Sequence, residues 1–235
     1  MNEELLIHSE CHPTGSAVGQ VRYSFTAQFL RGAARFAALS RDLESKSKEG
    51  WNENEESDHR AFVVAAVMQS TASLEAEIAE ILDHGPGHHL GSNGIDAQAR
   101  KFLQPLADVV DHNPVLERYQ LVLHLLRKEP FDRGGQPFQA ADVLVRLRNE
   151  IVHYRSKWGP EMESEKLFAA VRNLRFQAPP FVSAGTNFFP FQCLVADCAA
   201  WAVRTGVSFI EEFYKKLAIS SPLAAYKSNI LTLAS

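Results

Sequence analysis

The sequence predicts an all-α protein, built as a bundle of four to five long helices with extra short helices. Apolar residues recur three and four positions apart over long stretches, which is the spacing of one helix face. Stretches with the alternating pattern of strands are scarce, and the connections between helical stretches are short. We expect the helical domain to cover residues 21–218. An N-terminal arm at 1–20 precedes it, and a C-terminal tail at 219–235 that either docks or frays follows it.

The composition is that of an ordinary soluble globular chain. Its 235 residues are enough to bury a core, and 46% of them are hydrophobic while 22% are charged. No apolar run approaches the roughly 18 residues that a membrane span needs, and the first residues are acidic where a signal peptide would be basic. We therefore predict a cytoplasmic protein with no membrane partner. The three cysteines form no close pair with metal spacing, and their odd number argues against a disulfide framework.

Two helices are predicted in the first third of the chain. The first covers residues 21–48 and ends before Gly50, with aromatic and aliphatic residues on one face. The second covers residues 57–83, where Ser57 or Asp58 can cap its start. Its apolar residues follow nearly a heptad spacing, which indicates a central helix of the bundle.

A group of potential metal ligands follows the second predicted helix. Asp83, His84, His88 and His89 are close in sequence, and such side chains can hold zinc. A Gly-Pro-Gly turn separates them, however, and no matching ligand set follows downstream. We therefore expect a loop that ends the helix, and no metal or other cofactor.

Shorter helices and loops are predicted in the rest of the chain. We expect helices at 95–110, at 114–127 behind a cap formed by Asn113 and Pro114, and at 163–173. The loop at 130–137 is either simply flexible or brings Arg133 and its glycines to a phosphate. The aromatic, proline-rich segment at 176–191 lacks periodicity, so it should lie over an edge of the core or in an oligomer contact. A long helix is predicted at 191–217.

The helix predicted at 138–158 contains a charge in an unexpected place. Arg148 falls within the apolar arc of this helix, flanked by Val145 and Val152. A buried guanidinium without a partner would cost several kcal/mol, so Arg148 requires a carboxylate, a set of carbonyls or an anionic ligand. Glu75 and Glu77 on the second helix are candidate partners, unless both are solvated surface carboxylates.

The same helix offers an amide and an imidazole beside this cation. Asn149 and His153 are four residues apart and should share a face that Arg148 borders. Seven basic residues against four acidic ones lie between positions 146 and 175, although the whole chain has a net charge of −4. Phosphate contacts could therefore be confined to this region, with Arg146, Arg155 and Lys157 as candidate substrate-binding residues. The alternative is a solvated mixture of charges.

These residues resemble a known family signature. The run Arg-Asn-x-x-x-His at 148–153, in a predicted helix and followed by an aromatic and basic residues, is similar to the motif of the HEPN superfamily. That superfamily comprises all-helical domains of many prokaryotic RNase toxins and defence proteins. The upstream helix, with Ala66 and the run Leu-Glu-Ala-Glu-Ile at 74–78, resembles the family as well. The similarity spans roughly residues 21–217, and only the motif is specific.

The resemblance implies a metal-independent endoribonuclease that acts in a toxin–antitoxin or antiphage defence context. Its active site would be composite, because the motif helices of two protomers meet across a homodimer. The 2′-hydroxyl of RNA would be the nucleophile, which leaves a 2′,3′-cyclic phosphate and a 5′-hydroxyl. In this reading His153 moves a proton, Arg148 neutralises charge on the phosphorane, and Asn149 orients His153 or the phosphate.

One departure from the family pattern concerns regulation. In the subgroup that pairs with a nucleotidyltransferase antitoxin, a tyrosine two residues after the histidine accepts the modification. Here that position is Arg155, and Tyr154 is adjacent to His153 instead. An antitoxin or nucleotidyltransferase partner is therefore implied only by the family. The competing hypothesis is a non-catalytic HEPN-like nucleotide-binding or protein-interaction module, and a third is a purely structural helical protein.

Overall fold

The described residues fold into a helical bundle. The computed structural model describes residues 24–47, 49–82, 103, 105, 107–155, 166–183 and 185–235. All regular elements in these ranges are helical, so the predicted all-α class is confirmed. We number the helices in chain order: α1 (Phe25–Lys46), α2 (Glu53–Leu82), α3 (Ala107–Asp111), α4 (Val115–Leu125), α5 (Phe138–Val152), α6 (Lys166–Asn173), α7 (Ala196–Leu217) and α8 (Lys227–Leu233).

Three long helices form the centre of the bundle. Helices α1, α2 and α7 pack against one another more extensively than any other described pair of helices. They approach closely at Gly206 of α7, where an added Cβ would lie 3.0 Å from Leu30 Cδ2 and 3.5 Å from the Ser70 carbonyl oxygen. The shorter α5 packs on α2 and α7 and carries the motif to the edge of this core.

Helix α2 is long and apolar enough, by length and composition, to cross a membrane. Half of the apolar window is buried inside the protein, and α2 packs against both α1 and α7. Its apolar composition is therefore explained by its place in the bundle core. The cytoplasmic location stays a prediction.

Helix α2 begins four residues earlier than the sequence predicts, so the proposed caps at Ser57 and Asp58 were wrong. Asn52 caps the helix instead. Its Oδ1 accepts hydrogen bonds from the backbone N–H groups of Asn54 and Glu55, both at 3.0 Å. The Glu55 carboxylate in turn accepts a bond of 2.9 Å from the Asn52 N–H. This reciprocal pair is a capping box, whose Asn-x-x-Glu pattern was present in the sequence.

We predict that Asn52→Ala lowers the free energy of unfolding by about 1 kcal/mol, because it removes the acceptor for two backbone N–H groups at the helix start. Urea unfolding of the full chain measures this change. The control is Asn54→Ala, which alters an exposed residue in the same turn and leaves the cap in place. Equal losses in the two variants would contradict the capping role.

Other boundaries also differ from the predictions. Helix α5 ends at Val152, not at 158. The Asn113 side chain donates to the carbonyl of Val109 at 3.0 Å, so it closes α3 and does not cap α4. Helix α7 begins at Ala196 because Phe188–Gln192 forms a separate wide turn. The C-terminal segment docks: Ile230 of α8 is fully buried, and α8 packs on α1 and α7.

Candidate functional site

Arg148 pairs with a carboxylate on the neighbouring helix. Its guanidinium donates a hydrogen bond to Glu75 of α2, and the side chains are 23% and 45% exposed. The sequence required a partner for this cation and named Glu75 as a candidate, and the structure confirms that pairing. Because both side chains remain in contact with solvent, the pair should stabilise the fold by no more than about 1 kcal/mol.

Glu77, the other candidate partner, lies in the core. It is buried, and the Tyr214 hydroxyl of α7 donates a hydrogen bond to it. The pKa of Glu77 is raised from its ordinary 4.5 to about 7, and burial is the largest cause. The hydrogen bond from Tyr214 opposes the rise, nearby Glu80 adds to it, and Thr26 opposes it. The interpretation of Glu77 as a solvated surface carboxylate was therefore wrong.

His153 is the first residue after α5, not a residue within it. Its φ of −107° and ψ of 24° leave the helix, but its backbone N–H still donates to the Asn149 carbonyl at 2.9 Å. Asn149 and His153 are both exposed. The imidazole thus stands at the end of the helix one turn beyond the amide, whereas the Arg148 guanidinium turns toward α2.

Two exposed apolar side chains flank His153. Val152 is 48% exposed and Tyr154 is 44% exposed. The Tyr154 ring lies 5.6 Å from that of Phe189, between ring centroids, and Phe189 in turn packs on Phe168 of α6 at 5.2 Å. The chain leaves α5 at this point, where Tyr154 contacts Phe189. The His153 imidazole thus stands between two exposed apolar side chains.

The three candidate substrate-binding residues differ in their surroundings and in whether the structure describes them. Arg146 is exposed and lies 3.5 Å from the Asp142 carboxylate one turn earlier on α5. Arg155 is exposed, two residues beyond His153. Lys157 lies outside the described residues. The described part of this group is thus a strip along the end of α5 and the residues that follow it.

Arg133 does not present a free cation to a phosphate. Its guanidinium holds the Glu117 carboxylate through two hydrogen bonds of 2.6 Å each. In the same loop, the Gly134 N–H donates to the Asp132 carboxylate at 2.8 Å. The loop is thus held to α4 by Arg133 and held within itself by Asp132.

The predicted potential metal ligands at 83–89 lie outside the described residues, as do the N-terminal arm and Cys11. Within the described ranges, no group of three or more histidine, cysteine or carboxylate side chains could hold a metal ion. Cys193 and Cys198 are buried free thiols.

A second cluster, which the sequence did not predict, lies at the other end of α2. Trp51 stacks on His59, and both line a cavity with Phe181. Trp51 and Phe181 are 130 positions apart, so no local pattern connects them. A lone tryptophan after a glycine was the only signal in the sequence.

Comparisons with protein-family models, with curated proteins and with solved structures found no match. The described residues form an all-α bundle in which α5 carries Arg148 and Asn149 near its end and His153 follows directly. Asn149 and His153 are exposed, and Arg148 is paired with Glu75.

Proposed function

We propose that this chain is a metal-independent endoribonuclease of the HEPN type, with a composite active site at a homodimer interface. The observation that carries the proposal is the exposed His153 directly after α5, one turn beyond Asn149 and five residues beyond Arg148. A proton-transfer group must reach the substrate, and an exposed position at a helix end meets that requirement.

The residues can be assigned to one reaction. A 2′-hydroxyl oxygen attacks the adjacent phosphorus, the P–O2′ bond forms, and the P–O5′ bond breaks. One His153 accepts the proton of the 2′-hydroxyl, and the His153 of the second protomer donates a proton to the departing 5′ oxygen. Arg148 neutralises the charge that develops on the phosphorane, and Asn149 orients the imidazole or a phosphate oxygen. The products are a 2′,3′-cyclic phosphate and a 5′-hydroxyl.

A dimer would bring the two histidines together. The exposed side chains of Val152 and Tyr154 on either side of His153 offer apolar surface for a second copy. Arg146 and Arg155 would then lie along the rim of the cleft and hold the RNA backbone through its phosphates. In this arrangement Arg148 exchanges its contact with Glu75 for one with the substrate during the reaction.

The wild-type protein tests the proposal directly. We expect purified full chain in excess chelator to cut a mixed cellular RNA pool. The new ends should resist phosphatase until acid opens the cyclic phosphate. DNA of matched sequence should survive, because it lacks the 2′-hydroxyl. Sedimentation at the assay concentration should give the mass of a dimer. Intact RNA at high protein concentration, or cleavage that stops in chelator, would contradict the proposal.

A second candidate is a non-catalytic HEPN-like module that binds a nucleotide or a protein. The pairing of Arg148 with Glu75 within one protomer favours it, because the cation is then already neutralised. In this candidate Arg148 stabilises the contact between α5 and α2, and RNA remains intact in the same assay.

A further inference from the structure

A cavity of about 370 Å³ lies between the first two turns of α2 and the segment at 181–191. Three aromatic side chains line it, those of Trp51, Phe181 and Phe191. Sites that enclose small molecules usually measure roughly 300–1,000 Å³, so this cavity is large enough for one flat ring system.

The aromatic wall of the cavity is fixed by contacts from several elements. The Trp51 indole stacks on the His59 imidazole with 4.2 Å between ring centroids, and the Phe181 ring meets the indole edge to face at 4.7 Å. The His59 ring is buried, and its Nε2 lies 2.8 Å from Glu44 Oε1. The same oxygen accepts a 2.8 Å bond from the Ala196 N–H at the start of α7. The wall is therefore formed before any ligand arrives.

A donor and an acceptor stand side by side next to these rings. Arg60 Nη2 lies 2.5 Å from Glu56 Oε1, one turn apart on α2, and both side chains remain partly exposed. The guanidinium also lies 5.1 Å from the centroid of the Phe191 ring. Unpaired nucleobases are recognised in this way, by stacking on aromatic or guanidinium planes and by hydrogen bonds to donors and acceptors on the ring edge.

The charge around the cavity opposes a phosphate. The first eight residues of α2 carry four acidic side chains and one arginine. That arginine is already paired with Glu56. A phosphate bound here would meet net negative charge and would have to displace Glu56, whereas an uncharged ring would keep the pair intact.

We propose that this cavity binds a neutral nitrogen heterocycle of the nucleobase type, stacked among Trp51, Phe181 and Phe191, with Glu56 and Arg60 reading its edge. The ring comes either from a free nucleoside or from an unpaired base of RNA. This binding does not depend on the ribonuclease activity proposed above.

Calorimetric titration of the full chain tests the proposal. The probes are guanosine, adenosine, cytidine and uridine, their 5′-triphosphates, and a short unpaired oligoribonucleotide of mixed sequence. We expect at least one nucleoside to bind and its triphosphate to bind at least tenfold more weakly. If Phe181→Ala weakens binding of both probes, tighter binding of the oligoribonucleotide than of the nucleoside identifies RNA as the source, and the reverse order identifies a free nucleoside. The proposal is overturned by absence of nucleoside binding at roughly millimolar concentration, or by tighter binding of the triphosphate.

Variants of the cavity complete the test. Phe181→Ala removes one ring and should weaken nucleoside binding roughly 5- to 100-fold, while Phe181→Tyr keeps a ring and should bind like wild type. Glu56→Gln should weaken binding of the preferred base. Glu53→Gln makes the same charge change in the same part of α2 outside the cavity lining and should have no effect. Unchanged binding by both Phe181→Ala and Glu56→Gln would overturn the placement of the ligand.

Discussion

His153→Ala is expected to reduce RNA cleavage by roughly 10²- to 10⁴-fold, because it removes the group that accepts and donates protons in the proposed reaction. His153 is exposed and follows the last residue of α5, so the substitution should leave thermal stability unchanged. Initial rates on the same RNA pool, with protein matched for thermal unfolding, measure the effect. The control is His124→Ala, which removes an exposed imidazole from α4. Equal rates for His153→Ala and wild type would remove the catalytic role of this residue.

The role of Arg148 can be tested with two variants, because its ion pair with Glu75 can be removed by a substitution at either residue. Arg148→Ala removes the cation, whereas Glu75→Gln breaks the same pair and leaves the guanidinium in place. If Arg148 acts on the phosphorane, the first variant loses activity and the second cuts RNA at least as fast as wild type. If the pair has only a structural role, the two variants lose stability and activity together. That second pattern would remove the proposed role of Arg148 at the phosphorane.

A large dependence of stability on pH is expected from Glu77, because its pKa of about 7 in the folded protein lies above the ordinary 4.5. Below pH 4.5 the Glu77 carboxyl is protonated in both the folded and the unfolded chain. Between pH 4.5 and 7 it ionises in the unfolded chain but stays protonated in the folded one, so the free energy of unfolding falls as the pH rises. Above pH 7 both states are ionised and the loss is complete, at roughly 3 kcal/mol. The cause is that the carboxylate is buried between α2 and α7, with the Tyr214 hydroxyl as a partner too weak to offset its desolvation.

Glu77→Gln should therefore stabilise the protein at pH 8 by roughly 2–3 kcal/mol and change its stability little at pH 5. The glutamine oxygen can accept the Tyr214 bond, and its NH₂ group can donate toward Thr26, which lies near the same carboxyl. Urea unfolding at the two pH values measures the difference. Glu129→Gln, which makes the same change at an exposed position, should have no comparable effect. A variant whose stability follows that of wild type at both pH values would refute the assignment.

The sequence by itself determined the helical class and the approximate positions of the long helices. Apolar spacing is a local property, and it marks one face of a helix whatever that face packs against. The same logic showed that Arg148 needed a partner, because a cation within an apolar arc cannot be left without one. The capping box at Asn52 was also present in the sequence, although the predicted caps were Ser57 and Asp58.

Only the tertiary structure decided which partners meet. It paired Glu75 with Arg148 and placed Glu77 in the core. The two carboxylates are only two residues apart on one helix, but that spacing turns them roughly 200° from each other, so they face different surroundings. It ended α5 at Val152, where Tyr154 packs on Phe189 from a distant part of the chain. It also brought Trp51 to Phe181. Contacts between residues so far apart in sequence leave no periodic trace, so the cavity that they form becomes visible only once the chain is folded.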